Sequence, residues 1–114
     1  MPMISTKTTS AITKEQELQL KSRLGEAIAI LPGKSEQWLM TSFEDNCRMY
    51  FRGDNSEPLA FIEVQVFGKI NPSAADRLTA EICNIFGSVL GISSSNIYVK
   101  YEEVAMWGWN GGNF

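Results

Sequence analysis

Residues 59–67, Leu59-Ala60-Phe61-Ile62-Glu63-Val64-Gln65-Val66-Phe67 (LAFIEVQVF), alternate with a period of two. Ala60, Ile62, Val64 and Val66 share one face of a strand, while Leu59, Phe61, Glu63, Gln65 and Phe67 share the other. The first face is wholly apolar and calls for a helix to cover it. The second mixes aromatic and polar side chains and suits a contact that is partly wet. Downstream, Leu78, Ile82, Ile85, Phe86, Val89 and Leu90 recur at helical spacing, and Pro72 suits a first turn, so a helix is expected over 72–90. NIYVKY at 96–101 is then a closing strand.

The same order stands upstream. Residues 3–9 form a first strand, and Thr13 with Gln16 three places on has the form of a capping box. Leu20, Leu24, Ala27, Ile28 and Leu31 make the stripe of a helix that Pro32-Gly33 ends. QWLMTSF at 37–43 is expected as a strand, CRMYF at 47–51 as a short one, and RGDNSEP at 52–58 as a turn. Arg52-Gly53-Asp54 also spells an integrin-recognition tripeptide, although a hairpin turn explains the same residues. The two strand–helix–strand halves align at an offset of 59, with Leu31 on Leu90, Ser35 on Ser94 and Trp38 on Ile97. Two right-handed β-α-β units predict an α+β domain spanning 1–114, with a four-stranded mixed sheet and both helices on one face. The uncovered face, with Trp38, Met40, Phe61 and Phe67 as candidates, predicts self-association.

The composition narrows the function. With 114 residues, 44% hydrophobic and 20% charged, the chain suits one core. It has no apolar run long enough to cross a membrane and no secretory leader pattern, so a soluble, cytoplasmic protein with no membrane partner is expected. The net charge of −3 disfavours a nucleic-acid partner, whose phosphates need lysine and arginine. Histidine is absent, and Cys47 and Cys83 form no C-x-x-C pair, so no metal or cofactor is expected and both cysteines should be buried and reduced. Any acid–base chemistry therefore needs a base other than imidazole. The segment MPMISTK raises one candidate, because proline directly after the initiator methionine becomes a terminal secondary amine once Met1 is removed.

Several ordered motifs together resemble the macrophage migration inhibitory factor family of the tautomerase superfamily. They are Met1-Pro2, Gly33-Lys34, F-x-G-x-x-x-x-P from Phe51 to Pro58, Gly68-Lys69-Ile70, Ile97-Tyr98, Gly108-Trp109-Asn110 and Phe114. The resemblance implies a homotrimer in which three four-stranded sheets surround a central channel, with active sites at the subunit interfaces. It also implies keto–enol tautomerase activity on a small α-keto acid or aromatic substrate such as phenylpyruvate, 4-hydroxyphenylpyruvate or dopachrome-type compounds. An ordinary α-amino group has a pKa of roughly 7.7–8.0. Proline's nitrogen is more basic, so Pro2 would act as a free base at neutral pH only if burial and a nearby cation disfavour its charged form. Lys34 and Lys100 are candidate cations.

By the same resemblance, Lys34 binds the substrate's carboxylate or carbonyl oxygen, Tyr98 reaches across the interface, and Trp107 and Trp109 form the C-terminal wall. Phe67 stands where isoleucine is usual and where the backbone contacts substrate. Trp107 replaces a smaller apolar residue, which narrows the mouth or favours flat aromatic substrates. Lys100 replaces an asparagine that binds a phenolic hydroxyl; it could bind a second carboxylate or depress Pro2 further, so a preference for 4-hydroxyphenylpyruvate does not carry over. Taken without the resemblance, Lys34 after Pro32-Gly33 reads as an ordinary solvated turn lysine, and Lys100 is equally a surface lysine on a strand. The family's C-x-x-C is missing at Pro58-Leu59-Ala60-Phe61, so thiol–disulfide activity is not implied. Ser10-Ala11-Ile12-Thr13 lacks the receptor-arm arginine, which leaves cytokine-like signalling through a receptor partner, after secretion without a leader, as the alternative function.

Overall fold

The computed structural model describes residues 1–114. Its four-stranded sheet comprises β1 (Pro2–Thr8), β2 (Met40–Glu44), β3 (Ala60–Phe67) and β4 (Ile97–Val104), in the order β2-β1-β3-β4. The β1–β2 and β3–β4 pairs are parallel and the central β1–β3 pair is antiparallel. Helix α1 (Lys14–Ala27) crosses over between β1 and β2, and α2 (Pro72–Leu90) between β3 and β4. Equivalent elements begin 58 residues apart (2 and 60, 14 and 72, 36 and 94), one fewer than the expected offset. That single residue matters in a strand, since a shift of one exchanges its two faces.

The alternation in 60–67 decides the layering. Ala60, Ile62, Val64 and Val66 are buried, and with Ile4, Thr6 and Thr8 of β1 they floor a core roofed by the two helices. Leu20 and Leu24 of α1 and Leu78, Ile82, Ile85 and Phe86 of α2 have no exposed surface. Burying a leucine or phenylalanine side chain fully contributes roughly 1.5–3 kcal/mol, so this stripe holds the helices down. The Thr13–Gln16 capping box forms with both bonds, at 3.1 and 2.9 Å. Asn71 caps α2 through Ala74 N–H, with Pro72 in the first turn.

Four expectations about element boundaries are corrected. First, the strand expected over 37–43 begins only at Met40, because Ser35 to Trp38 close a 3-10 turn with a 3.2 Å bond; Trp38 thus lies off the sheet. Second, Cys47–Phe51 forms no ladder strand. Asn46 takes a left-handed φ of 54°, and Asn46 and Cys47 N–H donate to Ser10 and Thr8 carbonyls, turning the segment along the end of β1. Third, β4 runs on to Val104, since Glu102 points to the open face while Glu103 accepts from Ile70 N–H at 2.7 Å. Fourth, α1 stops at Ala27, and Leu31 follows a separate 3-10 turn. Cys47 and Cys83 are free but only half-buried, one in a loop and one on the flank of α2.

Phe51 and Asp54 exchange backbone bonds around Arg52-Gly53, closing the expected tight turn. Its charged groups are spoken for within the turn. The Arg52 guanidinium lies 4.8 Å from the centre of the Phe51 ring, and the Asp54 carboxylate accepts from Ser56 Oγ at 2.6 Å. The face of the sheet away from the helices stays open. Across it run Met3, Ser5 and Lys7 of β1, Phe61, Glu63 and Gln65 of β3, and Tyr98, Lys100 and Glu102 of β4.

Candidate active site

The site is built where β1 begins and β3 ends. Pro2 is buried opposite Val66, and the Met1 carbonyl just before it accepts the Phe67 N–H at 3.0 Å. The main-chain N–H and C=O of one strand residue point to the same edge. The Phe67 carbonyl therefore also faces β1, where Lys34 Nζ donates to it at 3.2 Å. One residue of β3 thus holds both the chain terminus and the lysine. Lys34 reaches this place because Gly33, at φ 79°, turns the chain sharply after Pro32, and Lys34 N–H bonds the Leu31 carbonyl at 3.1 Å. Only glycine adopts that left-handed conformation at no steric cost.

The electrostatics follow from this geometry. Burial and then the Lys34 charge lower the pKa of the Met1 amine below its ordinary value, because both penalise the ammonium form. Lys100 lies elsewhere. Its ammonium pairs with Glu63 across β3 and β4 at 3.3 Å on the open face, so within one chain Lys34 is the cation beside the terminus.

Aromatic rings cluster beside the terminus. The tail forms a hairpin of two short strands, β5 (Gly108–Trp109) and β6 (Gly112–Asn113), and Phe114 N–H returns to the Trp107 carbonyl at 3.0 Å. Asn110 and Gly111, with φ of 53° and 85°, make the two-residue turn that such a hairpin requires. The hairpin places Phe114 5.4 Å from Phe67 and parallel to Trp109, and Trp109 meets Trp38 edge to face at 5.1 Å. The strand pattern puts Trp38 on the sheet and no motif gives Phe114 a site role, yet both join this aromatic cluster. Proline-glycine followed by Ser35-Glu36-Gln37 hinted at a turn before Trp38; its partner, 71 positions on, left no local mark.

Of the expected site residues, the structure gathers Pro2, Lys34, Phe67 and Trp109, and Trp107 anchors the tail. Tyr98 lies far from them. It sits opposite Phe61, five residues back along β3 from the partner of Pro2, a separation of roughly 17 Å at strand rise. There it meets the Phe51 ring at 5.1 Å and borders an apolar hollow of about 200 Å³ lined also by Met49, Tyr50, Leu59 and Phe61. That hollow offers neither an amine base nor a cation. The surroundings of the terminus offer both: the Met1 amine biased toward its free form, the Lys34 ammonium to bind an anion, and flat rings to stack a planar substrate.

Comparison with known proteins gives a consistent result. The family model described as macrophage migration inhibitory factor matches residues 1–114. A crystal structure of Leishmania major MIF2 is 30% identical and superposes with a TM-score of 0.92, covering 100% of this chain and 97% of that one. The homologue from Prochlorococcus marinus is also 30% identical, with a TM-score of 0.83 and 98% of each chain covered. The MIF-like protein mif-3 of Caenorhabditis elegans is 26% identical over 113 residues, which are 97% of this chain and 75% of that protein. A more distant structure, 18% identical with a TM-score of 0.85, is of a protein inactivated by 2-oxo-3-pentynoate; 96% of this chain and 93% of that one are covered. With a four-stranded mixed sheet backed by two helices, and a family match from end to end, the chain belongs to the macrophage migration inhibitory factor family.

Proposed function

We propose that the chain, freed of Met1, is a keto–enol tautomerase for aromatic α-keto acids of the phenylpyruvate type, with Pro2 as the general base. The observation that carries this is the single grip of Phe67 on both the terminus and Lys34, inside an aromatic wall. Without Met1, the Phe67 N–H loses its carbonyl partner and is available to a substrate oxygen at the same place. Lys34 would hold the carboxylate or the carbonyl oxygen on which negative charge develops. The Pro2 nitrogen takes the proton from the carbon next to the carbonyl, and the electron pair of that C–H bond moves to form the enolate. The proton then passes to oxygen, giving the enol, or back to carbon. While Met1 is attached, the Pro2 nitrogen is an amide and carries no basic lone pair.

Assembly as a homotrimer, with Tyr98 supplied by a neighbouring subunit, belongs to the same proposal. Its support is that Tyr98 is 62% exposed and far from Pro2 within its own chain. The test is phenylpyruvate enolisation by protein whose N-terminus mass spectrometry shows to be Pro2. Pro2→Gly should lower kcat by about 100- to 10,000-fold, the range of a general base. Equal rates for the two proteins overturn the assignment. 2-Oxo-3-pentynoate, a ketone conjugated to an alkyne that a free secondary amine adds to, should label Pro2 in the Met1-free protein alone.

A further inference from the structure

The tip of the tail hairpin carries chemistry of its own. Of the seven asparagines in the chain, only Asn110 precedes a glycine. Succinimide formation needs the next residue's backbone nitrogen to reach the asparagine Cγ, and a side chain on that next residue hinders the approach. Gly111 has none. Asn110 and Gly111 are exposed, the Asn110 amide makes no hydrogen bond, and Gly111 N–H donates to no backbone carbonyl. Three of the other asparagines are protected in different ways. Asn71 is followed by proline, which has no N–H, and its side chain caps α2; Asn84 lies within α2; Asn96 is followed by the β-branched Ile97.

We infer that Asn110 is a site of spontaneous deamidation, and that its isoaspartyl product unseats the aromatic wall while its aspartyl product leaves the wall in place. Gly111 nitrogen attacks Asn110 Cγ, the Cγ–N bond of the side chain breaks, and ammonia leaves with the proton that Gly111 nitrogen gives up. Water then opens the five-membered ring at either carbonyl, yielding aspartate or isoaspartate. No oxidant or reductant is involved. Aspartate tolerates the left-handed conformation found at position 110. Isoaspartate instead routes the main chain through its side-chain carbon. This adds a backbone methylene to a two-residue turn whose length sets the Gly108–Asn113 and Trp109–Gly112 register. Trp109 and Phe114 depend on that register for their places against Trp38 and Phe67.

The test ages the full-length protein at mildly alkaline pH and follows each asparagine by peptide mapping, with fragmentation that separates aspartyl from isoaspartyl products. An unstructured peptide of residues 104–114 gives the intrinsic rate. Asn110 should convert ahead of the other six asparagines and at a rate comparable with the peptide. An intact Asn110 after the peptide has fully converted overturns the site. The isoaspartyl fraction, isolated by chromatography, should lose the near-ultraviolet dichroism and fluorescence of the packed tryptophans, while Asn110→Asp keeps both. Identical spectra for the two overturn the effect on the wall. Asn110→Gly, which retains the turn and lacks the amide, should keep its signal throughout ageing. Loss of that signal at the wild-type rate likewise overturns the inference. None of these readouts uses turnover, so the result stands or falls apart from the tautomerase proposal.

Discussion

Lys34 is a surface-type residue held in a half-buried place by one bond to the Phe67 carbonyl, 3.2 Å long. Its charge acts on the neighbouring amine in a calculable direction. Burial is the larger cause of the lowered Met1 pKa and Lys34 the second. Lys34→Met removes the second and leaves the first. In the Met1-bearing chain, the α-amine followed by NMR titration should therefore move up, part of the way back to its ordinary value, while Lys34→Arg leaves it unmoved. The sign carries over to turnover by the Met1-free protein: the base works unprotonated, a nearby cation disfavours protonation, and so removing the cation moves the acid limb of kcat/KM to higher pH. Loss of a charged hydrogen bond to substrate adds a fall in kcat/KM on the order of 10- to 100-fold. A limb that stays put while kcat/KM falls confines Lys34 to binding.

The elements around the terminus show which parts of this fold can be read without coordinates. The period-two run in β3 and the helical stripes of α1 and α2 are local signals reinforced by a buried face, and they appear as expected except that α1 ends at Ala27, before Ile28 and Leu31. The 3-10 turn at Glu36–Trp38 overlaps the start of a run, QWLMTSF, that also fits a strand, and Trp38 there meets Trp109, brought by a hairpin from the far end of the chain. Motifs mark Pro2, Lys34 and Trp109 in the sequence as candidates, whereas Trp38 and Phe114 take their places only from packing. The loop and the hairpin should consequently act as one wall. Trp38→Ala removes an edge-to-face contact, of a kind worth about 0.5–1.5 kcal/mol, from a half-exposed position. The expected result is a KM for phenylpyruvate raised about 3- to 10-fold with kcat little changed, and no such rise for a keto acid lacking a ring. Steady-state kinetics on the two substrates checks it; an equal rise for both removes Trp38 from ring binding.

At the scale of the whole molecule, one chain separates what the proposed chemistry needs together. Pro2 and Lys34 sit at the end of the β1–β3 pair where Val66 lies, and Tyr98 faces Phe61 toward the opposite end. A rigid sheet cannot fold back to join them, so the role proposed for Tyr98 requires another copy. The open face gives that copy a surface to meet, since Met40 and Tyr98 are 68% and 62% exposed and both lie off the helical side. In a closed ring each subunit would give its terminus to one neighbour and its Tyr98 to the other, and activity would then be a property of pairs of chains. Mixing makes this measurable. Pro2→Gly chains lack the base but keep Tyr98, and Tyr98→Ala chains have the reverse defect. Unfolded together in equal amounts and refolded, they should place an intact Pro2 against an intact Tyr98 in about one quarter of the sites, because each partner is drawn independently. The mixture should then exceed the mean activity of the two variants refolded alone, and sedimentation should show both in one particle of three chains. Activity equal to that mean places every needed residue within one protomer and discards the shared site.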